Sequence, residues 1–291
     1  MEVVYHLGAH CTDDGLLVGT LLKNRSRLRE EGSIVAYPGR YRTALREALQ
    51  MLDGAAAGPD LQETLLDTVT EEDSIGRLVL SNENFLGVAP RAVGAGQLYP
   101  MAQARAAGLR RLFPDAGCHF FLAIRNPAAF LPAVFARLRD IEYDRFMEGT
   151  DPHALRWSDM VARLRAGAPD AALTVWCDED TPLIWPEVLA GVAGVGPDLP
   201  LVGGDGRLAA VMAPQGLAAL QGYLAANPPP TVDLRRRVAA AFLDKFALDE
   251  VIEEELDLPQ WTAGHVARLS EAYEADTARI AAMEGVHFLA P

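Results

Sequence analysis

The sequence predicts an α/β fold, a three-layer sandwich of helices around five mainly parallel strands, with a helical C-terminal extension. Three observations carry the prediction. Short apolar runs alternate with longer stretches of helical periodicity, the pattern of βαβ crossovers. The runs are apolar at nearly every position, as strands buried on both faces must be. The first sixteen residues read as a strand, a loop and the start of a helix, the order found around anion-binding loops.

Val3–Leu7 forms the first strand and breaks at Gly8; Leu16, Leu17, Leu21, Leu22 and Leu28 then set a helix over Gly15–Glu31. Ser33–Pro38 is the second strand, stopped by Pro38-Gly39. Helices over Arg42–Ala56 and Leu61–Val69 lead to a third strand, Arg77–Ser81. A loop with Gly87, Gly94 and Gly96 precedes a helix over Pro100–Phe113. His119–Ile124 is the fourth strand and runs into Arg125-Asn126-Pro127, where a proline opens the next helix, Ala128–Asp140. A helix over Pro152–Ala166, a fifth strand Ala172–Cys177 and a helix over Pro186–Ala193 complete the core, 1–193. From Gly194 to the end the pattern is helical: Pro214–Ala226, Val232–Phe246, Leu248–Leu256 and Thr262–Met283. Only Val286-His287-Phe288 suggests one more strand. The 291 residues are read as a single domain.

A net charge of −14 argues against a nucleic-acid or anionic membrane surface. Cys11, Cys118 and Cys177 are far apart and unpaired by any CxxC spacing, which suggests a reducing compartment and no zinc framework. No leader-like opening and no long apolar run is present, so a cytoplasmic protein is expected.

The candidate chemistry lies at strand ends, where α/β folds bind ligands. Arg125 follows the fourth strand and suits either an anion or a structural pairing with Asp178 or Glu179. Glu83, after the third strand, suits either a general base or a loop acid. His6, His10, Cys11, Asp13 and Asp14 are metal-competent types without a ligand spacing, so no metal is expected. Counted from Gly8, a Walker pattern would place its second glycine at Asp13, its lysine at Asp14 and its Ser/Thr at Gly15. The run from Glu250 to Glu255 reads as a solvated helix face, and Arg235-Arg236-Arg237 as a helix surface or an anion or partner contact.

Taken together, His6-Leu7-Gly8-Ala9-His10-Cys11-Thr12, Asn24-Arg25, Tyr37-Pro38, Leu80-Ser81-Asn82-Glu83, Ile124-Arg125-Asn126-Pro127 and Val175–Asp180 resemble the sulfotransferase family. The bacterial members open on His-Ile-Gly-x-His-Lys-Thr-Gly-Thr-Thr. The resemblance implies strand order 2-3-1-4-5 and the sulfate donor PAPS as cofactor. It implies a cradle of Gly8, His10, Cys11, Thr12 and Gly15, with Arg125 on the donor phosphate and Glu83 as catalytic base. Cys11 stands at the family's lysine, Asp13 and Asp14 at its Gly-Thr, and Ala133 at its serine. Two functions follow as expectations: a divergent transferase moving a sulfuryl group to a small-molecule or glycan acceptor, or a non-catalytic binding or assembly module. A homo-oligomer fits either.

Overall fold

The computed structural model describes residues 1–72, 74–196, 199–252, 258 and 261–291. In chain order the elements are β1 (Glu2–His6), α1 (Leu16–Lys23), α2 (Arg25–Glu30), β2 (Ser33–Val35), α3 (Pro38–Leu52), α4 (Pro59–Val69) and β3 (Arg77–Ser81). A short hairpin, β4 (Val93–Gly94) and β5 (Gln97–Leu98), leads to α5 (Ala102–Leu112) and β6 (Gly117–Ile124). Then come α6 (Pro127–Ala136), α7 (Tyr143–Met147), α8 (Trp157–Gly167), β7 (Ala172–Cys177) and α9 (Thr181–Ala193). The remainder holds α10 (Gly206–Val211), α11 (Pro214–Ala226), α12 (Val232–Phe246), α13 (Asp249–Ile252), α14 (Ala263–Ala281) and β8 (Val286–Phe288).

The central sheet runs β2-β3-β1-β6-β7-β8, and every pairing in it is parallel. It has six strands, not five. The sixth is β8, so the part after Gly194 is not purely helical: Val286 pairs Leu173, and Phe288 pairs Val175.

Side chains alternate between the faces of a strand, and each face has its own core. Val3, Tyr5, Leu78, Leu80, Phe120 and Leu122 pack with residues of α3, α4, α5, α6, α8 and α14. Val4, Val79, Phe121, Ala123 and Trp176 pack instead with Leu17 and Leu21 of α1 and the apolar side of α9. A third, smaller cluster joins α10, α11 and α12 through Leu208, Met212, Leu220 and Ala239. Among the described residues no helix is long and apolar enough to cross a membrane.

Three expected elements change for local reasons. The helix over 15–31 is two helices, because the buried Asn24 side chain leaves the periodic pattern. Its Nδ2 donates to the carbonyls of Thr20 (2.8 Å) and Val202 (2.9 Å), and its Oδ1 accepts from Val202 N at 2.8 Å. The loop before α5 contains a hairpin whose two-residue turn, Ala95-Gly96, has both φ angles positive, as a tight β-turn of this kind demands. The helix expected from Pro186 starts at Thr181 and carries Pro186 inside it. That proline frees only the Pro182 carbonyl, while Ile184, Trp185, Val188 and Leu189 are fully buried. The acidic run ending at Glu255 lies largely outside the described residues.

Candidate functional site

Because β1, β3, β6 and β7 are parallel, their carboxyl ends share one edge. The loop after β1, Asn82–Asn84, Arg125-Asn126 and Asp178–Asp180 all meet there. The first loop holds to that edge by extending the ladder: Leu7 N donates to Phe121 O, and Ala9 N to Ala123 O, both at 2.9 Å. Gly8 adopts φ +91° and lies over Glu83, where a Cβ would come within 3.3 Å of the Glu83 Cα. Only glycine meets both demands without strain.

Inside the loop, Thr12 is buried and its hydroxyl donates to Ala9 O at 2.8 Å. Asp13 turns onto the start of α1. Its carbonyl accepts from Leu16 N at 2.8 Å and its Oδ2 from Leu17 N at 2.9 Å, with Gly15 in the left-handed conformation between them. Free amides at a helix start are what an anion-binding loop offers a phosphate. Here a carboxylate of the chain itself takes one of them.

The cations are committed as well. Arg125 donates from Nη1 to the carbonyl of Cys11 at 2.6 Å. Arg137, at the end of α6, donates to the Asp14 carboxylate and reaches Glu83 Oε2 at 3.3 Å. Glu83 therefore sits in an ion pair. Cys11 is buried, and burial pushes its thiol up to about 11, so it is a protonated thiol at neutral pH.

His10 is fixed in one neutral tautomer. Nε2 faces Asn84 Oδ1, an acceptor, at 3.2 Å and so carries the proton, which leaves Nδ1 to accept from the Tyr99 hydroxyl at 2.7 Å, while that hydroxyl oxygen accepts from His10 N at 3.0 Å. Burial lowers its pKa, and that of His6 likewise. His6 Nδ1 meets Ser81 Oγ at 2.9 Å, while Nε2 is buried without a partner among the described residues.

Beyond β7, Glu179 accepts from Asn126 N at 2.7 Å and from the Tyr273 hydroxyl at 3.1 Å. Asp178 pairs with Arg207 of α10 at 2.9 Å, yet burial raises its carboxyl to about 7.

Gly8, His10, Cys11, Thr12, Gly15, Glu83 and Arg125 thus lie on one edge, as neighbouring parts of one network. Sequence reasoning did not single out Arg137, Tyr99, Arg207 or Tyr273. Arg137 had a signal: it stands four residues after Ala133, one turn along the same side of a helix aimed at the loop. Tyr99, Arg207 and Tyr273 come from distant segments and had none. Among the described residues no group of three or more His, Cys, Asp or Glu could hold a metal.

The residues present do not fit PAPS. Asp13 holds an amide that would face the donor's phosphate, Asp14 and Glu83 add negative charge beside it, and a neutral thiol stands where a cation is needed. Compared with known protein families, with curated proteins and with solved structures, the chain matches none of them.

Proposed function

We propose that this chain is a non-catalytic binding module on a three-layer, sulfotransferase-like sandwich, its donor loop closed by its own acids. One observation carries the reading: the Asp13 carboxylate bonded to the Leu17 amide, an internal anion at the helix start. The ion pairs of Arg137 with Asp14 and Glu83 support it, because they engage the carboxylate that a transferase would need as a free base.

The test is calorimetric titration with PAP, the desulfonated product of the donor. The wild-type chain binds it no more tightly than the high micromolar range. The triple variant Cys11→Lys, Asp13→Gly, Asp14→Thr removes two negative charges and adds a positive one. It also leaves Arg137 paired with Glu83 alone, and it gains about tenfold or more in affinity. Low-micromolar binding by the wild type overturns the reading. A folded triple variant with no gain overturns the descent of the loop from a phosphate cradle.

A further inference from the structure

Away from the carboxyl edge, α9, α10, α11 and α12 surround a cavity of about 790 Å³. This falls in the range of cavities that hold a small organic ligand, roughly 300–1,000 Å³. Its walls are aliphatic, with Leu189, Leu208, Leu217, Leu220 and Ala239 among them, and no aromatic ring among the described residues lines it. A flat ring system would find no stacking surface here. A flexible alkyl chain needs only apolar contact.

The cavity also has a cationic point. Arg235 lines it beside Glu187, and the pair is bidentate on the acid: Nη2 reaches Oε1 at 2.8 Å and Oε2 at 2.9 Å. That same nitrogen bonds the Leu183 carbonyl at 3.1 Å. All contacts of Arg235 with described residues therefore run through Nη2, so Nε and Nη1 can donate elsewhere. Arg236 approaches the same carboxylate, its Nε 3.5 Å from Oε1. Arg236 does not itself line the cavity, and its Nη1 donates to the Ala290 carbonyl at 2.9 Å. The other lining acid, Asp205, accepts from Gln221 at 2.8 Å. The arginine run of α12 is thus only partly a surface feature: Arg235 and Arg236 are half-buried and Arg237 is exposed.

We propose that this cavity binds a single-chain amphiphile, an alkyl carboxylate whose tail lies along the leucines and whose head is taken by Arg235. Nε and Nη1 lie on different edges of the guanidinium, so either can offer a carboxylate a single charge-assisted bond. A guanidinium with N–H groups to spare favours an anion over a neutral head, and the aliphatic wall favours a chain over a ring.

The experiment is calorimetry of the full chain with octanoate, decanoate and dodecanoate, each below its micelle concentration, and with the matching 1-alkanols. One ligand binds per chain, and each two-carbon step tightens binding about tenfold. Carboxylates bind more tightly than alkanols of equal length. Arg235→Gln abolishes that preference, while Glu187→Gln enlarges it by removing the competing acid; alkanol binding is unchanged in both. Ala209→Trp, at an exposed lining position that leaves the core untouched, blocks the cavity and weakens decanoate at least tenfold. Absence of saturable binding, affinity independent of chain length, or a head-group preference that survives Arg235→Gln overturns the proposal. So does undiminished binding by an Ala209→Trp variant that melts like wild type.

Discussion

Burial and a neighbouring cation pull the Asp178 carboxyl in opposite directions, and burial wins: its pKa rises from 3.8 to about 7 despite Arg207 and Arg125. The sign of the consequence is fixed by linkage. Between these two values the folded chain holds the proton more tightly than the unfolded chain does, so stability falls as pH rises through that window. The slope approaches about 1.4 kcal/mol per pH unit at its steepest. Asp178→Asn has no proton to lose there. Urea unfolding of both proteins between about pH 4 and pH 7 should show the wild type losing stability relative to the variant as pH rises. A difference that stays flat with pH shows that Asp178 is not held this way. Residues such as this mark where the sequence was legible and where it was not. The acids after β7 were visible as a strand-end cluster, but burial by α10 and the pairing with Arg207 depend on contacts made across the fold. For Asp13 the letters alone marked an acid where a phosphate loop carries glycine. Its position on the Leu17 amide depends on the turn at Gly15.

Among the elements, the junction of α1 and α2 is held by one side chain. Asn24 ends α1, accepts the following segment and ties both to Val202, in the segment after α9. Replacing it with alanine takes a partner from the buried Thr20 carbonyl and removes both bonds to the exposed Val202, at a cost of about 2 kcal/mol. Asn24→Asp keeps the acceptor but loses both donated bonds, so it should recover less than half of that loss. Chemical denaturation of the two variants checks the order; an alanine variant as stable as wild type refutes the role of the splice. Periodicity located α1 and α2 as one helix because leucines at Leu21, Leu22 and Leu28 keep the phase across the break. Strand positions read more reliably. A parallel strand buried on both faces is apolar throughout, and β1, β3, β6 and β7 needed no long-range information to be seen. β8, only three residues long with His287 exposed at its centre, lacks that signature.

At the scale of the whole molecule, the cores differ in size. The two that flank the sheet draw on most helices, whereas the cluster of α10, α11 and α12 has few fully buried residues and borders the cavity. Local opening follows buried apolar contact. Native-state hydrogen exchange should therefore find the amides of α11 and α12 exchanging through an opening that leaves β1, β3 and β6 protected. Its free energy is lower by about 2 kcal/mol or more. Exchange of all these segments through one common unfolding event would show instead that the cluster is fused to the sheet.

The late strand has a consequence for how the chain is made. β8 completes the sheet by pairing with β7, from which it is separated by on the order of a hundred residues, all of the α9–α14 region. During synthesis the chain grows from its amino end, so β7 is exposed to the cell as an open border long before its neighbour leaves the ribosome. Through that interval the backbone of Leu173–Val175 lacks its final partner. A ribosome that stalls between α9 and α14 would thus release a chain with a ready-made template for joining other nascent strands.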